Sequence, residues 1–313
     1  MKLTRTHSRI AALALTAVLV SPTPAWALDS KDMAGSTPEA GTVVSLRMED
    51  NEPDDGSCTG TAIAPHWVVT ARHCMEMFSK PGGTVRTGEG DQQRMYKVDR
   101  WEKAPRGDIG LVHTEEPMQL EHFAEVSHDE LKNGEVTVYG WSSEGTGGSK
   151  TLPVAKGDAD TAAGDQAPAL FDAPSAAVVS LKNGARIQGG DSGGPIFADG
   201  KVAAVMSAGL FDDPDNPSEE DLMSNPKVAV SPVADQAEWI EKTVAGEETA
   251  SGEAAAAGEE AAAGEEAGSE AVSGADTMTT ADDGARQMPV SLWIILGSVV
   301  IIAGAVVWRL SRR

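Results

Sequence analysis

The chain has 313 residues, a formal net charge of −23, two cysteines and 4% aromatic residues. The charge is uneven: residues 1–27 and 290–313 carry +3 each, which leaves −29 on residues 28–289. So acidic a middle argues against nucleic-acid backbones and anionic lipid headgroups as partners, because both would be repelled.

Lys2, Arg5 and Arg9 precede an apolar run from Ile10 to Val20, and Ala25-Trp26-Ala27 puts small residues at the two positions a signal peptidase reads. This pattern predicts a secretory signal peptide over 1–27, cut after Ala27. Residues 28–243 follow with a charge of −19 and enough length for a sizeable core. Their apolar runs are short, rich in β-branched residues and separated by Gly, Pro, Asp and Asn. The runs are 42–46, 61–64, 67–70, 109–112, 136–139, 176–179, 195–197, 202–206 and 228–230. Such spacing predicts an all-β sandwich or barrel. One amphipathic helix closes the segment, with Val233, Ala237, Ile240 and Val244 on one face.

Residues 244–289 repeat Gly-Glu-Glu among alanines, and 11 carboxylates face a single arginine, Arg286. A segment of this composition has nothing to bury, so it reads as a disordered, charged tether of several tens of ångströms. Val290 to Trp308 then runs 19 residues without a charge, about the thickness of a bilayer's hydrocarbon core as a helix. Trp293 and Trp308 lie near its edges, and the basic tail 309–313 suits the cytoplasmic side. The segment reads as a single membrane span that leaves the acidic domain outside the cell. A lipid-anchor signal with a removable tail is the competing reading, although terminal arginines suit stop-transfer better.

Three short stretches carry the chemistry. Gly189-Gly190-Asp191-Ser192-Gly193-Gly194-Pro195 puts a serine on a glycine-rich turn, where backbone N–H groups can face a developing oxyanion. Serine needs a base to act as a nucleophile. The candidate base is His73, in Val68-Val69-Thr70-Ala71-Arg72-His73-Cys74 at the end of an apolar run. An imidazole base needs a carboxylate to fix its tautomer, and Asp108, before Ile109-Gly110-Leu111, offers one.

Cys58 through Cys74, then Asp108-Ile109-Gly110-Leu111, then Gly190-Asp191-Ser192-Gly193-Gly194-Pro195 together resemble the chymotrypsin/trypsin-type serine endopeptidases. Tyr139-Gly140-Trp141, Ser207-Ala208-Gly209 and Trp239-Ile240 add weaker matches in the same order, so the resemblance spans roughly residues 40–243. It implies two six-stranded Greek-key β-barrels with the active site between them and a C-terminal helix. It further implies His73 as general base, Asp108 as its orienter, Ser192 as nucleophile, and the N–H groups of Gly190 and Ser192 as the oxyanion hole. Cys58 and Cys74 would form a disulfide, which export permits. The substrate would be a protein or peptide, with Ser207, Ala208 and Gly209 along its backbone and Arg186 at the floor of the specificity pocket.

The chain departs from the family pattern at three points. Arg72 stands beside the histidine in place of a small residue, either charging the cleft or pointing to solvent. The family's other disulfides are missing. Arg186 would favour acidic substrates, whereas the acidic stretch 212–221 could favour basic ones, and spacing does not rank the two. That stretch lacks the spacing and glycine of a calcium loop and reads as solvated surface. No His-Glu-x-x-His run or Cys-x-x-Cys pair suggests a metal, and no cofactor is implied. A catalytically idle binding module on the same fold is the alternative function. The order His73, Asp108, Ser192 excludes the esterase fold with a Gly-x-Ser-x-Gly elbow. The sequence leaves the oligomeric state open.

Overall fold

The computed structural model describes residues 28–48, 58–76, 78–141, 151–167, 170–210 and 225–246. The expected signal peptide, all but the first residues of the tether, the span 290–308, the tail 309–313 and the acidic stretch 212–221 lie outside the described residues. Among the described residues, no helix is long and apolar enough to cross a membrane.

Among the described residues, twelve strands form two closed antiparallel barrels. The first holds β1 (Val43–Arg47), β2 (Cys58–Ala64), β3 (Trp67–Thr70), β4 (Thr84–Thr87), β5 (Arg94–Lys103) and β6 (Gly110–Thr114). The second holds β7 (Gly134–Tyr139), β8 (Val154–Asp160), β9 (Ala177–Leu181), β10 (Pro195–Ala198), β11 (Lys201–Gly209) and β12 (Lys227–Pro232). Both close in the same order: the first strand lies between the second and fourth, and the third meets the sixth. Closure leaves no strand edge exposed, which suits chains built of short strands.

Each barrel is filled by its β-branched and leucine residues. Val44, Leu46, Val68, Val69 and Leu111 are fully buried in the first, and Val138, Val179, Ile196 and Ala204 in the second. At roughly 1.5–3 kcal/mol for each large aliphatic side chain taken from water, this burial dominates the stability of the domain. The closing helix runs over 237–246. Val233, Ala237 and Ile240 are buried and Val244 packs beside them, the face that the spacing predicts.

Three strands escape the apolar-run reading. In β8 the inward positions are Ala155, Gly157 and Ala159, alternating with outward Lys156, Asp158 and Asp160. β5 alternates mostly polar residues around buried Tyr96 and Val98, and β4 buries Arg86 beside Val85. The alternation is that of a strand, but the inward side chains are too small or too polar to stand out.

Two short helical turns flank strands of the first barrel: α1 (Pro38–Thr42) leads into β1 and α2 (His73–Glu76) follows β3. Thr70, the last residue of β3, pairs with Gly110, the first of β6. Antiparallel pairing therefore sends the chain after β3 and the chain before β6 off the same end of the first barrel.

Candidate active site

His73 opens α2 three residues beyond β3, and Asp108 lies two residues before β6, so the barrel end brings them together. The backbone N–H of His73 donates to Asp108 Oδ1 at 2.8 Å, and the ring Nδ1–H donates to Asp108 Oδ2 at 2.8 Å. Asp108 is fully buried, whereas the His73 side chain keeps 21% of its exposure. A buried carboxylate is tolerated only when its oxygens are hydrogen-bonded, and His73 bonds both of them. The arrangement puts the proton on Nδ1 and leaves Nε2 with its lone pair, the tautomer a base requires. Burial alone would pull the His73 pKa down; the charge of Asp108 and its hydrogen bond outweigh that, so the pKa lies above the ordinary histidine value.

Ser192 comes from the second barrel, three residues before β10. Its carbonyl accepts from the Thr59 N–H at 2.8 Å and lies 3.8 Å from Cys74 Sγ, next to His73. Gly193 has φ +78°, and a Cβ there would fall 2.0 Å from Thr70 Oγ1 and 2.6 Å from the Ala71 nitrogen. Only glycine suits that position, because the turn is pressed against the strand end that leads to His73. Gly194 is equally confined: a Cβ would meet Met206 Cε at 2.3 Å and the Tyr139 carbonyl at 2.4 Å. Among the described residues, neither the Gly190 nor the Ser192 N–H has an internal acceptor, while the Asp191 N–H between them donates to the Gln188 carbonyl. Two unused donors flanking a serine are what oxyanion binding needs.

Cys58 and Cys74 are joined, with a Cα–Cα distance of 6.3 Å. The bond ties the start of β2 to α2 and so braces the turn that carries His73. In the chain-entropy model a loop of this length contributes roughly 3 kcal/mol. The two sulfurs and His73 lie within 4.8 Å of one another, but sulfurs bonded to each other offer no thiolate to a metal.

The remaining predicted residues are spread along the second barrel. Ser207, Ala208 and Gly209 end β11, where Ser207 Oγ meets Ser231 Oγ at 2.9 Å and half-buried Ala208 faces Ala229. Arg186 forms a two-residue antiparallel bridge with Asp29, and its guanidinium Nη1 donates to the Ala185 carbonyl at 2.8 Å. It is half-buried, and among the described residues no carboxylate pairs with it. Arg72 neither enters the cleft as a free charge nor points into solvent: it bonds Glu76 and the Ala104 carbonyl and lies over the Phe171 ring.

Two contributors escape the sequence reading. Thr59, fully buried, donates from Oγ1 to the Gly190 carbonyl at 2.9 Å and accepts from the Trp141 N–H at 2.8 Å, so it holds the serine loop to the first barrel. Asp191, also buried, accepts from the Gln188 N–H at 2.7 Å and from the Leu28 N–H at 3.3 Å. Burial pushes the Asp191 carboxyl up to about 7, against these two bonds. A buried threonine beside a cysteine carries no signal of its own, and the partners of Asp191 are visible only in the fold.

The chain is similar to known proteases in sequence and fold. The trypsin family model matches residues 33–240. An uncharacterized peptidase of Corynebacterium glutamicum is 28% identical over 250 residues, covering 76% of this chain and 81% of the relative. The vitellin-degrading protease of Bombyx mori is 28% identical over 176 residues, covering 49% of this chain and 67% of that protein. The solved structure of neuropsin, a serine protease expressed in the limbic system of mouse brain, shares the fold, with a TM-score of 0.54 and 20% identity over 68% of this chain and 99% of that one. The family match over most of the folded region, the two barrels and the peptidase relatives together establish that this chain belongs to the trypsin family of serine proteases.

Proposed function

We propose that the domain hydrolyses peptide bonds of protein or peptide substrates outside the cell, through an acyl-enzyme on Ser192. His73 takes the serine proton and returns it to the leaving amine, Asp108 holds the imidazole, and the Gly190 and Ser192 N–H groups receive the oxyanion. The observation that carries this reading is the doubly bonded His73–Asp108 pair, which fixes the basic tautomer beside the serine loop. An idle binding module would have no use for a fully buried carboxylate spent on one imidazole. The test is hydrolysis of a peptide library by the full-length protein, beside Ser192→Ala and His73→Ala. Wild type should cleave, and either variant should lose several orders of magnitude in turnover while keeping its fold.

The domain acts exported and tethered in this reading: the signal peptide over 1–27 delivers it, and the span 290–308 anchors it through the acidic segment. The support is the sequence pattern at the two ends. External protease added to intact cells should release the domain by cutting within 244–289. Labelling of His73 from the cytoplasmic side only would overturn the topology.

Arg186 selects an acidic residue at the cleaved position. Among the described residues its half-buried guanidinium has no carboxylate partner, which supports this, because such a cation is available to a substrate carboxylate.

A further inference from the structure

Phe171 is an unusual residue for its backbone. Among the described residues, four other than glycine have positive φ: Phe171, Asp172, Asn183 and Asp199. Asn183 and Asp199 each precede a glycine in a tight turn, a common use of left-handed backbone. Phe171, at φ 53° and ψ 45°, is bulky and is followed by a second left-handed residue, Asp172. Such strain persists only where the surroundings over-determine it.

The donors to its carbonyls and the cation over its ring come from the first barrel, although the segment lies between β8 and β9 of the second. The Phe171 carbonyl accepts the Gly107 N–H at 2.8 Å, and the Asp172 carbonyl accepts from Arg106 Nε at 3.2 Å. The Arg72 guanidinium lies 4.4 Å from the centre of the Phe171 ring. Arg72 Nε also donates to Glu76 Oε1 at 2.7 Å, and its Nη1 to the Ala104 carbonyl at 3.0 Å. Gly107 directly precedes Asp108, and Arg72 directly precedes His73. One strained turn of the second barrel therefore grips the chain neighbours of both members of the His–Asp pair, and Arg72 links α2, the Asp108 loop and that turn.

We infer that Arg72 and Phe171 form an inter-barrel strap that positions the His73–Asp108 pair against Ser192, which the second barrel supplies. The inference rests on the proposed triad for its effect on turnover and on the observed contacts alone for its effect on the His–Asp bond. Both are positioning residues: neither reaches the reacting atoms. Catalytic geometry is sensitive to displacements of an ångström or less, so loosening the strap lowers kcat rather than substrate binding.

The experiment uses full-length protein carrying Arg72→Met, Arg72→Lys, Phe171→Leu or Phe171→Tyr, and the double variant Arg72→Met/Phe171→Leu. The first readout is hydrogen exchange of the His73 Nδ1–H proton by NMR, which needs no activity. The second is kcat and KM on a cleaved peptide. Arg72→Met and Phe171→Leu should each speed the exchange and lower kcat by about tenfold, with KM within about twofold. Arg72→Lys should resemble Arg72→Met, because an ammonium lacks the flat face that stacks on the ring. Phe171→Tyr keeps the ring and should match wild type, and the double variant should be no worse than either single one. Unchanged exchange in Arg72→Met and Phe171→Leu would overturn the strap, as would additive losses in the double variant. If Phe171→Leu does not fold, Arg72→Met against Phe171→Tyr decides by the same exchange readout. Should wild type prove inactive while the exchange responds as stated, the strap stands and the peptidase reading alone fails.

Discussion

The Leu28 N–H donates to Asp191 Oδ1 at 3.3 Å inside the domain, joining the first residue after the expected cleavage site to the carboxylate that precedes Ser192. While residues 1–27 are attached, that nitrogen is a neutral amide. Cleavage after Ala27 would turn it into an ammonium, and the contact would become an ion pair in a place with little water.

A pH dependence follows. In the uncleaved chain the Asp191 carboxyl is raised to about 7 from an ordinary 3.8. A raised carboxyl contributes stability below the unfolded value and loses it as pH rises through the folded one, so this form should weaken between about pH 4 and pH 7. The cleaved form gains a partner for the charged carboxylate and should hold its stability across that range. Melting temperatures of protein beginning at Leu28 and of protein with one extra alanine before it, each with Asp191→Asn as control, measure the difference. Parallel pH curves for the two forms would contradict the pairing.

The His73 pKa is raised, with Asp108 outweighing burial. Only neutral imidazole accepts the serine proton, so kcat/KM should rise with pH around a midpoint above the ordinary histidine value of about 6.5. Asp108→Asn should lower the midpoint and reduce kcat by about four orders of magnitude, the loss typical of a triad deprived of its carboxylate. A pH-rate profile of wild type and variant checks both statements.

Thr59→Val removes a buried hydroxyl that bonds the Gly190 carbonyl and the Trp141 N–H and leaves the latter without its acceptor. The expected cost is about 1–3 kcal/mol in denaturant unfolding. Because Gly190 supplies a proposed oxyanion donor, kcat should fall with KM little changed.

Arg186→Ala should abolish the preference for Asp or Glu at the cleaved position without abolishing cleavage. Profiling cleavage sites of wild type and variant separates the outcomes: a wild-type preference for Lys or Arg contradicts the assignment.

The parts of the site legible in the sequence are those whose residue type is forced by local chemistry. Ser192 between glycines, His73 before Cys74 and Asp108 before a short apolar strand stand in motifs because turn, disulfide and strand mouth each restrict their neighbours. The Val233, Ala237, Ile240 face is legible for the same reason, since helical periodicity is local. What escaped depends on contacts distant in sequence. Leu28 and Asp191 lie 163 positions apart and Arg186 pairs with Asp29, and neither pairing leaves a pattern along the chain. In the sequence Arg72 reads equally well as a cleft charge or a solvent group, because Phe171, which receives it, belongs to the other barrel. Strand β8 was invisible because alanine and glycine fill its inward positions.

A fluorophosphonate probe reports whether Ser192 is an activated nucleophile. Full-length wild-type protein treated with the probe and digested for mass spectrometry should carry a single adduct on Ser192. Ser192→Ala should carry none, and His73→Ala should react at least about a hundredfold more slowly. A wild-type protein that stays unlabelled while folded, or a Ser192→Ala variant that labels at the wild-type rate, would show that Ser192 is no such nucleophile.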